Sequence, residues 1–472
     1  MTEMLIGGRW TRGSGTATIP VENPATGQPL FELPVATAAD VEAALAAVQD
    51  GFAVWRQVAP VERGRVLRDA AGLMRARVED MARVITLELG KPLPESRAEV
   101  LLAAEHLEWA AEEARRTYGQ VIPSREPLTL QHTVLEPVGP VAAFAPWNAP
   151  VVTPSRKIGG ALAAGCAMIL KPAEETPTAA LLLAGMLREA GLPDGVLNVV
   201  FGDPAMIGRM LVGSPAIKAV TFTGSTAVGV ELNTLGASTM KRMTLELGGH
   251  APVLVLGDAD VARVASTAVP ACFRNSGQVC TSPTRFVVHA SVYDRFLETF
   301  VDTVASLKVG DGMADGTQMG PVANARRLAA LQEMTDDARS RGAVVETGGS
   351  PIPGEGWFWS PTVLTSVPDD ALAATTEPFG PLKTVRPFDD LDEAVAEANR
   401  LPFGLASYVW TSDLGLAARL TTAVEAGSVA VNSWRPSLPE TPFGGFHQSG
   451  LGTEGGTEGL RGFLRTKYVG QG

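Results

Sequence analysis

Across 472 residues there are only 3 cysteines and 5 histidines. Three cysteines cannot build a disulfide framework. With no Cys-x-x-Cys and no His-Glu-x-x-His, they and the histidines define no metal site. No uncharged stretch approaches the ~20 apolar residues of a membrane span. The start, Met1-Thr2-Glu3-Met4-Leu5-Ile6, has an acid where a signal peptide carries bases, so export is not expected. A formal net charge of −12, with no block of lysine or arginine, disfavours a nucleic-acid partner. Internal repeats and low-complexity segments are missing too. These absences argue against a disulfide-stapled secreted protein, a membrane protein and a nucleic-acid binder, and they suit a reducing cytoplasm.

What is present is core. Hydrophobic residues make up 45% and charged residues 19%, and the chain is too long for one ordinary core, so two or three domains are expected. Residues 1 to 35 read as short strands and turns. Helices follow: Thr37 caps one through Gln49, Pro60 opens another, and a third runs from Pro94 to Arg116. Their charges read as solvated cover without chemistry. Residues 121–137 turn extended. From Val138, strands at Val141–Ala145, Met168–Leu170, Leu197–Phe201 and Ala219–Thr223 alternate with helices, the pattern of a doubly wound parallel sheet. None of these strands is followed by Gly-x-Gly-x-x-Gly. The nearest substitute is Gly224-Ser225, whose amides at a helix start can hold a pyrophosphate. A second alternation begins at Ala251–Leu256 and continues through Arg285–His289, Lys383–Phe388, Ala406–Trp410 and Ser428–Asn432.

Cys280 lies in a polar, glycine-relaxed turn after an apolar helical run, where a thiol is open to substrate. A lone cysteine is more often a small buried hydrophobe; Cys166 and Cys272, both among alanines, keep that reading. The company of Cys280 changes its standing. Phe144-Ala145-Pro146-Trp147-Asn148, Leu245-Glu246-Leu247-Gly248-Gly249 and Glu377-Pro378-Phe379-Gly380-Pro381 occur with it, between Asn23-Pro24-Ala25-Thr26-Gly27 and Ser449-Gly450-Leu451-Gly452-Thr453-Glu454-Gly455. In this order, over nearly the whole chain, these strings resemble the aldehyde dehydrogenase superfamily, most like its bacterial succinate-semialdehyde dehydrogenase-type members.

The resemblance implies an α/β fold of two doubly wound parallel-sheet domains with a small β oligomerisation arm. The dinucleotide-binding domain would take 1–120 and 138–246, the catalytic domain 247–445, and the arm with the C-terminal tail 121–137 and 446–472. Relatives pair through such arms as homodimers or homotetramers. Cys280 would attack the aldehyde, with the Asn148 amide and the Cys280 backbone N–H holding the oxyanion. Glu246 matches the base that activates water for thioester hydrolysis, and Lys157 and Glu454 match a buried proton relay. Lys171 and Glu174 match residues on the adenosine ribose. Glu377 and Phe379 match those on the nicotinamide ribose, and Trp147, Gly224 and Ser225 complete the cofactor set. A carboxylate at 174 favours NAD, with NADP still possible. Members that transfer the acyl group to coenzyme A generally lack the glutamate at 246, so hydrolysis to a free acid is expected.

Arg156 and Arg274 match arginines that grip the distal carboxylate of succinate semialdehyde, while Trp147 and Trp434 can equally line a slot for an aromatic aldehyde. A general aliphatic aldehyde, a coenzyme-A-acylating reaction and a catalytically retired structural protein are the other readings. His250 stands where many relatives have lysine and carries no assigned role.

Overall fold

The computed structural model describes residues 3–472. Val141–Phe144, Met168–Lys171 and Leu197–Val199 are short, almost wholly apolar and buried along their whole length. Such strands need cover on both faces, which is what a parallel sheet with helical crossovers supplies. They form the centre of an eight-stranded sheet in the order Arg9–Thr11, Met4–Ile6, Leu197–Val199, Met168–Lys171, Val141–Phe144, Ala219–Thr223, Arg242–Glu246, Gly450–Leu451. Val141 faces Met168 on one side and Ala219 on the other. The chain therefore winds outward from Val141–Phe144 in one direction and resumes on its other flank. This reversal opens a crevice at the carboxyl ends of Val141–Phe144 and Ala219–Thr223. Asn148 and Gly224 leave the sheet there.

The helices that cover this sheet begin as the sequence leads one to expect. Thr37 and Asp40 form a reciprocal capping box at the start of Ala38–Trp55, and Pro60 occupies the first turn of Pro60–Ala76. Ala38–Trp55 runs past Gln49 because Val48, Gly51 and Trp55 continue its buried stripe. Gly51 packs so closely that a Cβ there would lie 2.3 Å from the Gly195 carbonyl carbon. Val78–Leu89, which the sequence did not resolve from its neighbours, ends on Gly90 at φ 86. Leu93–Glu113 then crosses beside Val152–Ala164.

A seven-stranded second sheet runs Val344–Thr347, Thr362–Thr365, Leu382–Phe388, Pro283–His289, Ala251–Val255, Ala406–Trp410, Ser428–Val431. Pro283–His289 and Leu382–Phe388 are parallel neighbours. Cys280 and Gly380 stand just before these strands, so both are delivered at the amino ends of adjacent strands. Helices Ala325–Ser340 and Leu414–Ala423 were not foreseen; each lies largely on the surface, with few buried residues to mark a period. Val121–Ile122, Leu130–Pro137 and Leu464–Gln471 form a separate three-stranded antiparallel sheet. Among the described residues no helix is long and apolar enough to cross a membrane.

Gly51→Ala is expected to destabilise the protein by about 1–3 kcal/mol, because the added methyl meets backbone that cannot rotate away. A lower urea midpoint checks this; an unchanged midpoint contradicts the close packing.

Candidate active site

The helix Val261–Phe273 runs into a tight turn in which Asn275, Ser276 and Gly277 all take left-handed backbone, at φ 48, 55 and 71. Only glycine fits the last position: a Cβ on Gly277 would come 2.2 Å from the Gly380 carbonyl oxygen. The turn is tied down on every side. Asn275 N–H donates to Glu95 Oε2 at 2.7 Å, and its Nδ2 donates to the Asn148 carbonyl at 3.0 Å. Ser276 Oγ donates to the carbonyls of Gly320 and Pro321, and Gln278 Oε1 accepts from Ala323 N–H. Cys280 emerges from this turn half-buried, whereas Cys166 and Cys272 are wholly buried.

The first sheet delivers its part of the site from the opposite side. Asn148 is buried, and its Nδ2 donates to the Gln278 carbonyl at 3.0 Å, so one amide hydrogen spans the two loops and the other stays free. Glu246 ends Arg242–Glu246. That strand is interior, flanked by Ala219–Thr223 and Gly450–Leu451, so the glutamate is buried rather than on a solvated edge. Neither of its carboxyl oxygens has a hydrogen-bond partner among the described residues. Lys157 and Glu454 form a buried pair at 2.6 Å, bridged by Thr221 Oγ1, which accepts from Lys157 and donates to Glu454.

Burial pushes the Glu246 carboxyl well above the ordinary carboxylate range, and the nearby Glu454 adds to the rise. Glu377 is raised to about 8, also by burial. The Cys280 thiol is pushed up to about 12 by burial first, then by Glu377 and Glu246, against the pull of Arg156 and Arg274. Near neutrality Glu377, raised to about 8, is largely protonated, so its repulsion falls away and the arginines remain. The resting group is a thiol that a base must deprotonate. For Glu454, burial is outweighed by Lys157, Arg156 and the Thr221 hydroxyl, and it stays a carboxylate below its usual range.

The other expected residues are placed as follows. Lys171 and Glu174 pair at 2.6 Å at the end of Met168–Lys171, and Glu174 Oε1 also accepts from Gly202 N–H. The Gly224 N–H is engaged by the Glu246 carbonyl, so it is not free for a phosphate. Ser225 caps Thr226–Ala237 by backbone only and leaves that helix start open to solvent. Trp147 meets Phe379 edge-on at 5.4 Å. Trp434 packs instead on Trp410, Tyr408 and Phe286, so the two indoles belong to different aromatic clusters. A Cβ on Gly248 would sit 2.5 Å from Glu377 Oε2, and Glu377 Oε1 is buried without a partner. Arg156 lies over the Phe443 ring at 4.5 Å, with His106 Nε2 3.5 Å from Nη2 and its Nε unbonded. Arg274 is exposed and makes no ion pair among the described residues. His250 is buried and bridges Thr284 and the Ala373 carbonyl, and burial keeps it neutral.

The helices before residue 120 are more than the solvated cover that their sequence suggests. Lys91, Glu95 and Glu99 all reach the catalytic loops. Their sequence signal was two glutamates one turn apart after Gly90-Lys91-Pro92 in an otherwise alanine-rich helix. No group of three or more His, Cys, Asp or Glu that could hold a metal occurs among the described residues.

A partly open thiol, an amide donor and an unpartnered carboxylate thus meet at the switch point of a doubly wound sheet. This is the arrangement of a dinucleotide-linked oxidoreductase with thiol chemistry. The chain belongs to the aldehyde dehydrogenase family, which matches residues 10–469, and it is an NAD(P)-dependent member. It is 48% identical over 467 residues to a 4-(hydroxymethyl)benzenesulfonate dehydrogenase of Comamonas testosteroni, covering 99% of this chain and 97% of that one. It is 41% identical, with the same coverage, to a glutarate-semialdehyde dehydrogenase of Pseudomonas putida. A succinate-semialdehyde dehydrogenase structure from Burkholderia pseudomallei superposes with a TM-score of 0.98 at 41% identity, over 100% of this chain and 98% of the other.

The burial of Glu377 makes a prediction about stability. Its folded pKa exceeds the ordinary 4.5, so its contribution is fully present below 4.5 and is lost as pH rises through about 8. Glu377→Gln cannot ionise, so the fall in thermal midpoint between pH 5 and pH 8 should shrink. An identical fall in both proteins would contradict the burial of this carboxyl.

Proposed function

We propose that this enzyme oxidises an aldehyde bearing an anionic group at its far end, a carboxylate or a sulfonate, to the free carboxylic acid. The observation that carries this reading is the pair Arg156 and Arg274. Both lie close enough to Cys280 to favour its thiolate as cations, and neither makes an ion pair with a carboxylate among the described residues. A forked guanidinium binds carboxylate or sulfonate oxygens strongly, and a neutral aldehyde forgoes that gain. The names of the relatives agree: a semialdehyde of glutarate and a benzenesulfonate both carry such a group.

In this mechanism Cys280 Sγ adds to the aldehyde carbon as its proton passes to Glu246. The Asn148 amide and the Cys280 backbone N–H hold the alkoxide oxygen; one such donor is worth ~3 kcal/mol of barrier. Bound NAD(P)+ supplies the hydride acceptor. The residues present would hold it: the open helix start after Ser225 at the pyrophosphate, Lys171 and Glu174 at the adenosine ribose, and Glu377 and Phe379, with Trp147 against Phe379, at the nicotinamide ribose. Glu174 beside the ribose favours NAD. Once the thiol proton has left by way of Lys157 and Glu454, Glu246 deprotonates water for attack on the Cys280 thioester, and Cys280 Sγ leaves and regains a proton as the free acid forms. A buried carboxylate without partners suits hydrolysis better than transfer to coenzyme A. The enzyme works in the cytoplasm, where its thiols stay reduced, as a homodimer or homotetramer paired through the arm, whose Val121 and Tyr468 are exposed.

A short ω-carboxylated or sulfonated aldehyde should exceed its uncharged analogue in kcat/KM, and Arg156→Ala or Arg274→Ala should remove about 1.5–3 kcal/mol of that preference. Equal efficiency for hexanal or benzaldehyde in the wild type would refute it. Because Glu246 must be ionised to act and its pKa is raised, deacylation should quicken with pH above the usual carboxylate range. Glu246→Gln should flatten that limb and slow turnover by about a hundredfold or more; a variant with the wild-type profile would remove Glu246 as the base.

A further inference from the structure

Glu95 and Glu99 lie one turn apart on the helix Leu93–Glu113, so they share a face. Each holds a different catalytic loop. Glu95 Oε2 accepts from Asn275 N–H at 2.7 Å, on the turn that leads to Cys280. Glu99 Oε1 accepts from the N–H groups of Val151 and Val152 at 3.0 and 3.3 Å, at the end of the loop that carries Asn148. The second oxygen of Glu99 pairs with Lys91 in a fully buried contact, and Lys91 Nζ reaches the Asn148 carbonyl at 3.5 Å. That same carbonyl accepts from Asn275 Nδ2 at 3.0 Å, which closes the circuit between the two loops.

We propose that Glu95, Glu99 and Lys91 are positioning residues, a two-point clamp that sets the spacing between the Asn148 amide and the Cys280 backbone N–H. The inference rests on the reading of that pair as the oxyanion site. The two donors come from loops of different sheets, joined by the Asn148 Nδ2 bond to the Gln278 carbonyl and braced from one helix by Glu95 and Glu99. An oxyanion site works only if its donors are aligned before charge develops, and a misplacement of about 1 Å can cost about a hundredfold in rate. Stability alone does not account for the pair, since a buried ion pair is commonly no better than apolar side chains of the same volume. None of the three residues needs to touch the reacting atoms.

The double variant Lys91→Met/Glu99→Leu removes both buried charges together, and with them the acceptor for the Val151 and Val152 N–H groups. Its kcat should fall about ten- to a hundredfold. The rate of the pre-steady-state NADH burst should fall in proportion, while aldehyde KM and NAD affinity stay within about threefold. Alkylation of Cys280 by iodoacetamide should keep its wild-type rate, which a general loosening of the loop would raise. Glu95→Leu, which has no acceptor for the Asn275 N–H, should shift kcat in the same direction by a smaller factor. Wild-type kcat in these variants, or a loss confined to KM, overturns the clamp. If the double variant fails to fold, Glu95→Leu decides alone by the same criterion. A wild-type enzyme that iodoacetamide does not inhibit overturns the underlying reading of Cys280, and the clamp with it.

Discussion

Three successive left-handed residues, Asn275, Ser276 and Gly277, set the conditions for the rest of the site. Left-handed backbone costs roughly 1–2 kcal/mol for a residue with a side chain, and such strain persists only where the surroundings over-determine it. Here they do so by accepting hydrogen bonds from Asn275 and Ser276, at the Glu95 carboxylate and the carbonyls of Asn148, Gly320 and Pro321. The absent Cβ of Gly277 lets the turn press against Gly380, next to Phe379 and Glu377. One turn thereby aims Cys280 at the first sheet and also fixes where the second sheet presents its glutamate.

The electrostatics follow from where that turn points. Glu246, Glu377 and Glu454 each have at least one buried oxygen without a protein partner, an arrangement that a core serving stability alone avoids. Burial keeps Glu246 and Glu377 from ionising easily, while Lys157 and Arg156 keep Glu454 charged. Glu454, with Lys157 and the Thr221 hydroxyl on it, thus keeps its charge in the same buried region where Glu246 resists one.

Much of the fold was legible in the sequence because its parallel strands are short apolar runs set between capped helices. Val141–Phe144 and Ala219–Thr223 fall within a residue of where the pattern puts them. Ala325–Ser340 was not legible, since a helix that buries only one narrow side leaves a weak period. Of the site, Cys280, Asn148 and Glu246 stood out through motif strings, and the structure brings their loops together. Glu95, Glu99 and Lys91 did not stand out. A glutamate bonded to a backbone N–H some 180 residues away has the same local sequence as one on a solvated face. Nor can a sequence show that Gly224 spends its amide on Glu246, or that Trp147 and Trp434 join separate aromatic clusters.

The central claim is that a covalent acyl group forms on Cys280 and that Glu246 clears it. Glu246→Gln mixed with NAD+ and an anionic aldehyde, quenched and digested, tests this by mass spectrometry of the three cysteine peptides. The account predicts the acyl mass on the Cys280 peptide alone, dependent on NAD+ and much weaker in the wild type. An adduct on Cys166 or Cys272, or no adduct while NADH is still formed, would contradict it.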